Sequence, residues 1–368
     1  MKISAIEIRA CRSKAHALKA SEMRHGTVKE LQFLVVTLKT DDGLQASTFG
    51  FAGTSARGAA RITADSLKPF FLGRDPLYRE KHWHDWRMAD RWWHHVPVYA
   101  YGPFDIACWL LGAQAAGQPL YKYLGAYRDR VPIYGSSLVL PTPEAFAEQA
   151  LVTKQAGWAA YKLHPPGNDA FDLKAYRLCR EACGPDFKLM ADPVAAYNHE
   201  QVVRIGRELE KLGYYWLEEP VFDVDLHSLR ELTRTLDIPI CGTEVIVGSH
   251  YSTAECIATR AVDMVRTDVS WKGGITAVMK TAHLAESFGV QCELHTALYH
   301  PLELVNLHCC AAIKNCEFFE VLLPTDHFNF GLKTPIQIEK GEAVLPAGPG
   351  LGIEFDWDFI EDSTVEVL

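Results

Sequence analysis

From about residue 131 onward the chain alternates between short apolar runs and longer stretches with helical spacing. One unit shows the pattern in full. Thr142 offers a hydroxyl to cap the first free N–H groups of a helix, Pro143 pre-sets φ, and Glu144 suits the positive helix end. Gly157 supplies the residue that ends such a helix. "WAAYKLH" follows as a strand, and the order returns with a helix from about 198 to 213 before the strand "YYWLEEP". Strands alternating with helices predict a parallel sheet, because every parallel connection needs a crossover. "RVPIYGSSL" (130–138) is the first strand of the series.

The first third has a different texture. Ile6, Ile8 and Ala10 alternate with Glu7 and Arg9, which predicts a half-buried strand. "LQFLVVTLKT" and "LQASTFGF" flank Asp42-Gly43, which predicts a hairpin. Between the first strand and the hairpin lies a basic segment carrying Arg12, Lys14, His16, Lys19, Arg24, His25 and Lys29. A loop this long is commonly a lid or binding loop. Residues 54–125 read as helical, with breaks at Asp75-Pro76 and Gly117. An α+β domain over 1–128 and a β/α domain over 129–334 follow. The tail 335–368 has turn signals and no helical unit, and is expected to pack back on the first domain.

Each strand of the second domain ends in a polar residue that packing does not require. These are Lys162 and His164, Asp192, Glu218, Glu244, Asp268, His295 and Glu320, recurring every ~24–30 residues. A (β/α)₈ barrel of about 250 residues has that period, and its active site lies at the C-terminal ends of its strands. Lys162 and His164 are two apart and so share one face. Asp192, Glu218 and Glu244 come from three neighbouring strands and cannot all ionise side by side without a cation. Hard carboxylate oxygens fit Mg²⁺; a Zn²⁺ hydrolase would want a His-x-His on an early strand, which is absent. Asp268 and His295 end adjacent strands, as a general base and the carboxylate that orients it would. Lys162 and His164 lie opposite, where a cation can neutralise developing negative charge and an imidazole can donate or accept a proton. A divalent metal facing a base suits removal of the α-proton of a carboxylate.

Composition narrows the partners. A net charge of −9 argues against nucleic acid. No run approaches the ~18 apolar residues of a membrane span. Ten scattered cysteines without a CxxC pair indicate reduced thiols and a cytoplasmic protein. The expected partner is a small-molecule carboxylate.

The ordered set resembles the enolase superfamily, specifically its mandelate racemase-type subgroup. The resemblance covers nearly the whole chain. It is carried by "YAYGPFDIACWLLGAQAAGQPLYKYLGAYRDRVPIYGS", "WLEEP", "GTE", "TDVSWKGGIT" and the intervals between the strand-end residues. It implies an α/β fold: a modified (β/α)₈ TIM barrel with an N-terminal α+β capping domain completed by the C-terminal tail. It implies that Asp192, Glu218 and Glu244 bind Mg²⁺, that Asp268 and His295 form the dyad, that Glu320 lies near the substrate carboxylate, and that the protein is a homo-oligomer. Lys162 matches the first lysine of the family's Lys-x-Lys. His164 replaces the second, Val194 stands where a polar residue often follows the first metal ligand, and Trp271 stands where some members carry a lysine. The expected reaction is dehydration of an acid sugar to a 2-keto-3-deoxy acid. Arg24 or His25 of the basic loop would meet the far end of the substrate, with Trp271 as a pocket wall. Two bases on opposite faces would alternatively make a racemase or epimerase, and loss of chemistry would leave a binding barrel.

Overall fold

A computed structural model of the chain describes residues 1–13, 30–94 and 96–368. The first domain is built on an antiparallel meander of β1 (Ile3–Ser13), β2 (Leu31–Thr40) and β3 (Gln45–Phe51). Ile6, Ile8 and Ala10 point into the core while Glu7 and Arg9 reach toward solvent, as their alternation requires. The hairpin turns at Asp42-Gly43, where Gly43 has φ +92°. Helices Ala56–Phe71 and Val98–Ala115 cover this sheet, and Arg79–Ala89, followed by a π-helical turn at Asp90–His94, packs on Val98–Ala115.

The second domain carries eight parallel strands. They are β4 (Arg130–Ser136), β5 (Ala160–Leu163), β6 (Lys188–Ala191), β7 (Trp216–Glu218), β8 (Ile240–Gly242), β9 (Met264–Thr267), β10 (Gln291–Leu294) and β11 (Phe319–Leu322). Each pairs with the next from β4 to β10, and β11 returns to pair with β4. Thr142 caps its helix as the sequence predicts, accepting from the Ala145 N–H. The ring floor is apolar, formed by Tyr134, Ala160, Met190, Trp216, Cys241, Met264 and Phe318. After β11 a single turn, Thr325–Phe328, replaces the long crossover helix of the other units. A hairpin of β12 (Ile338–Glu339) and β13 (Glu342–Val344) then extends the sheet beside the start of β4.

Among the described residues no ladder joins β10 to β11. Two buried carboxylates fill that seam, one from each strand. Glu293 of β10 accepts from the N–H groups of Glu317 (2.8 Å) and Phe318 (3.2 Å), and Glu320 of β11 accepts from the Thr296 N–H (3.1 Å). Burial pushes the Glu293 carboxyl up to about 7 despite those donors. Glu293→Ala removes the acceptor of two N–H groups, one buried and one part-buried, at ~1–3 kcal/mol each, so a loss of about 2–6 kcal/mol is expected in urea unfolding.

The tail contradicts the expectation that it lacks a helix. Trp357–Ser363 is helical because the Asp356 side chain accepts from the Phe359 N–H at its start. β14 (Thr364–Val367) follows and pairs antiparallel with β1, completing the first sheet. All ten cysteines are buried thiols. Among the described residues no helix is long and apolar enough to cross a membrane.

Candidate functional site

Above the apolar floor lies a buried ionic layer. The Lys162 ammonium, fully buried on β5, sits 3.0 Å from Glu218, 3.0 Å from Glu320 and 3.2 Å from Asp192. Burial alone would lower this ammonium, but Glu218 and Glu320 hold it well above its ordinary range. Arg266 of β9 completes the layer, with its guanidinium 2.8 Å from Glu218 and 2.5 Å from Glu320. The Trp216 indole N–H donates to the other Glu218 oxygen at 2.9 Å. Burial opposes ionisation of Glu320, yet Lys162 and Arg266 hold its carboxyl well below the usual range. Arg266 is absent from the sequence reading although its signal was present. It stands two before Asp268 in "DMVRTD", so the strand period aims both inward.

At the barrel mouth the remaining side chains converge from two sides. His295 Nδ1 lies 2.9 Å from Asp268 Oδ2, and its Nε2 lies 3.1 Å from Glu244. The other Asp268 oxygen accepts from the Ser270 (2.5 Å) and Trp271 (2.7 Å) N–H groups. A carboxylate only accepts, so Nδ1 carries the proton in that pair. Opposite, His164 Nδ1 donates to the Ser137 carbonyl at 2.6 Å, and its Nε2 lies 2.9 Å from Asp192. The structure therefore brings Lys162, His164, Asp192, Glu218, Glu244, Asp268, His295 and Glu320 into one connected cluster.

Two carboxyls at the top of that cluster resist ionisation. Burial raises the Glu244 carboxyl well above its ordinary value, with Glu219 and Glu218 adding to the shift. Burial and nearby Asp192 push Glu219 up to about 8. Glu219, buried beside Glu218, accepts from the Glu244 N–H at 3.0 Å and so fixes the loop after β8. Thr243 there adopts φ +80°, a costly geometry for a β-branched residue. Its hydroxyl makes hydrogen bonds with the backbone of Arg266 at 3.0 and 3.2 Å. Among the described residues no three His, Cys, Asp or Glu side chains converge in metal-binding geometry. Glu218 is turned down toward Lys162, Arg266 and Trp216. The donor chemistry of Asp192, Glu218 and Glu244, all carboxylate and mutually repelling, nevertheless fits a hard divalent cation.

The first domain forms one wall of the mouth. Trp271 packs on Phe51 of β3 at 4.5 Å between ring centroids and lies 6.5 Å from the His295 ring. The Tyr299 hydroxyl donates to the Gln32 carbonyl at 2.6 Å. Asp105, from helix Val98–Ala115, accepts from the N–H (2.8 Å) and hydroxyl (2.5 Å) of Thr276 and so caps helix Ile275–Ser287. Gly274 has φ +94°, and a Cβ there would lie 2.6 Å from the Asp105 carboxylate. The paired glycines of "WKGGIT" are thus where the two domains close on the loop that carries Asp268. Arg24 and His25 lie outside the described residues.

Residues 145–359 match the family model described as enolase C-terminal domain-like, and residues 5–125 match that of the mandelate racemase/muconate lactonizing enzyme N-terminal domain. The chain belongs to the enolase superfamily, in its mandelate racemase-type subgroup. Among curated members it is 29% identical over 337 residues to the L-talarate/galactarate dehydratase of Salmonella typhimurium, covering 89% of this chain and 82% of that one. It is 27% identical over 377 residues to the N-succinyl-L-Arg/Lys racemase of Bacillus cereus, covering 99% and 98%. Among solved structures it superposes on D-glucarate dehydratase from Agrobacterium tumefaciens complexed with magnesium, with a TM-score of 0.88 and 33% identity over all of both chains. These superfamily relatives include both acid-sugar dehydratases and a racemase.

Proposed function

We propose that this enolase-superfamily protein dehydrates an acid sugar to a 2-keto-3-deoxy acid in a Mg²⁺-dependent reaction. The observation that carries the reading is the pairing of His295 with Asp268 on one side of an acidic cluster whose other side holds Lys162 and His164. Asp192, Glu218 and Glu244 would hold the metal. Bound Mg²⁺ would supply positive charge to the substrate carboxylate and so acidify its α-proton.

The chain's own groups do the rest. His295 Nε2 takes the α-proton as the C–H bond breaks, and Asp268 stabilises the imidazolium that results. The electron pair moves toward the carboxylate to give an enediolate. Lys162 offers its charge to that intermediate without reorganising, because its three carboxylate partners already hold it in place. As the enediolate collapses, the β C–O bond breaks and the hydroxyl leaves as water with a proton from His295 or His164. The enol product then tautomerises to the 2-keto acid. The resemblance of the whole chain to acid-sugar dehydratases supports this assignment. Ten buried thiols suit a reducing, cytoplasmic setting, and we expect a homo-oligomer.

A second reading rests on His164. Its imidazole and that of His295 reach the cluster from opposite sides, as a two-base racemase or epimerase would require, and one relative is named a racemase. A single screen separates the two. Mono- and diacid sugars are offered to metal-stripped protein restored with Mg²⁺ or Zn²⁺, in D₂O, with detection of 2-keto product and of solvent deuterium at the α-carbon. We expect 2-keto product with Mg²⁺ only. Deuterium uptake with every hydroxyl retained would replace dehydration by racemisation. Neither signal from any acid, with either metal, would leave a binding barrel.

A further inference from the structure

Helix His300–Ala312 lies behind the dyad and reaches it through Asn306, a side chain that is 1% exposed. Its amide Nδ2 donates to the His295 carbonyl at 2.8 Å, and its Oδ1 accepts from the Val269 N–H at 3.1 Å. Only this orientation of the amide satisfies both partners, since one only accepts and the other only donates.

Its place in the sheet gives these bonds their meaning. β9 and β10 run in parallel register up to Thr267 and Leu294, and the His295 N–H still donates to the Thr267 carbonyl at 2.9 Å. A parallel ladder would next put the Val269 N–H on the His295 carbonyl. Asn306 is spliced into that rung. Its amide bridges the two strand ends at the level where the imidazole of His295 and the carboxylate of Asp268 meet at 2.9 Å.

We propose that Asn306 is a positioning residue that sets the spacing of the His295–Asp268 pair by replacing one rung of the β9–β10 ladder with a side-chain amide. Glu303, three residues earlier and therefore on the same helix face, grips the segment that follows the base. Its carboxyl makes a hydrogen bond with the Thr296 hydroxyl and draws on the Ala297 N–H. The helix thus holds residues 295–297 on one side and 269 on the other. The inference rests on the reading of His295 as the base.

The test uses the full-length protein loaded with Mg²⁺ and a substrate identified by the screen above. In Asn306→Ala the direct rung can close, so the protein stays folded while the dyad is displaced. A misplacement near 1 Å costs about 10²-fold, so kcat should fall by about that factor with KM within about threefold. The α-deuterium isotope effect on kcat/KM should rise, which a purely structural residue would not cause. Should the alanine variant fail to fold, Asn306→Ser carries the same expectation. It can still accept from Val269 but cannot also reach the His295 carbonyl. His295→Asn runs in parallel. If it loses turnover while a folded Asn306 variant keeps kcat and isotope effect at wild-type values, the positioning role is overturned. If His295→Asn itself turns over, the reading of the base fails first and the two failures are told apart.

Discussion

His295→Asn will abolish turnover while leaving Mg²⁺ affinity unchanged. A positioned general base contributes typically ~10²–10⁴-fold, and no other described imidazole shares its face of the cluster with a carboxylate partner. Asparagine keeps the volume and loses the basic nitrogen. Because Asp192, Glu218 and Glu244 are untouched, calorimetric titration with Mg²⁺ should match the wild type. Asp268→Asn sharpens the result. One Asp268 oxygen is committed to the N–H groups of Ser270 and Trp271. The new amide must therefore turn its NH₂ toward His295 Nδ1, which forces the proton onto Nε2. The imidazole would then present an N–H to the α-carbon instead of a lone pair, and a wrong tautomer of this kind costs on the order of 10⁴-fold. Wild-type proton exchange in either variant would remove His295 from the mechanism.

The dyad was legible in the sequence because it depends on strand period alone. Asp268 and His295 each follow the last strand residue, so alternation and unit spacing place them together before any coordinate is known. Lys162, Asp192, Glu218, Glu244 and Glu320 were found by the same rule. Arg266 obeys it too, and was overlooked because an arginine inside an apolar strand lacks a catalytic pattern of its own. The seam carboxylate Glu293 and the amide of Asn306 belong to a different class. Each acts on backbone atoms of a neighbouring element, and the need for it arises only where a ladder is interrupted. No local pattern announces such an interruption. The helix Trp357–Ser363 was missed because a single Asp cap and two turns carry too little periodicity to stand out in a turn-rich tail. Glu218 shows a further gap between residue type and geometry. Its spacing marks it as a metal ligand, whereas its oxygens in the folded chain are held by Lys162, Arg266 and Trp216.

That last arrangement gives the second large effect. Lys162→Met should both inactivate and destabilise the protein. The ammonium is fully buried and lies within 3.2 Å of three carboxylates. Methionine fills the volume but leaves Glu218 and Glu320 with Arg266 as their shared cation and Asp192 with His164. Removing one partner of a buried ion pair costs about 3–5 kcal/mol, which urea unfolding would register. Activity should fall at least ~10²-fold through loss of a fixed charge beside the enediolate. The two losses have different remedies. Adding Glu320→Gln leaves Arg266 to Glu218 in place of being shared between two carboxylates, so the double variant should regain stability relative to Lys162→Met alone, a coupling that a double-mutant cycle measures. It should regain no activity, because the charge facing the substrate is still missing. Recovery of both together would mean that Lys162 is there to hold the barrel and has no direct part in the reaction. Recovery of stability alone assigns it to the chemistry, with the neighbouring carboxylates as its support.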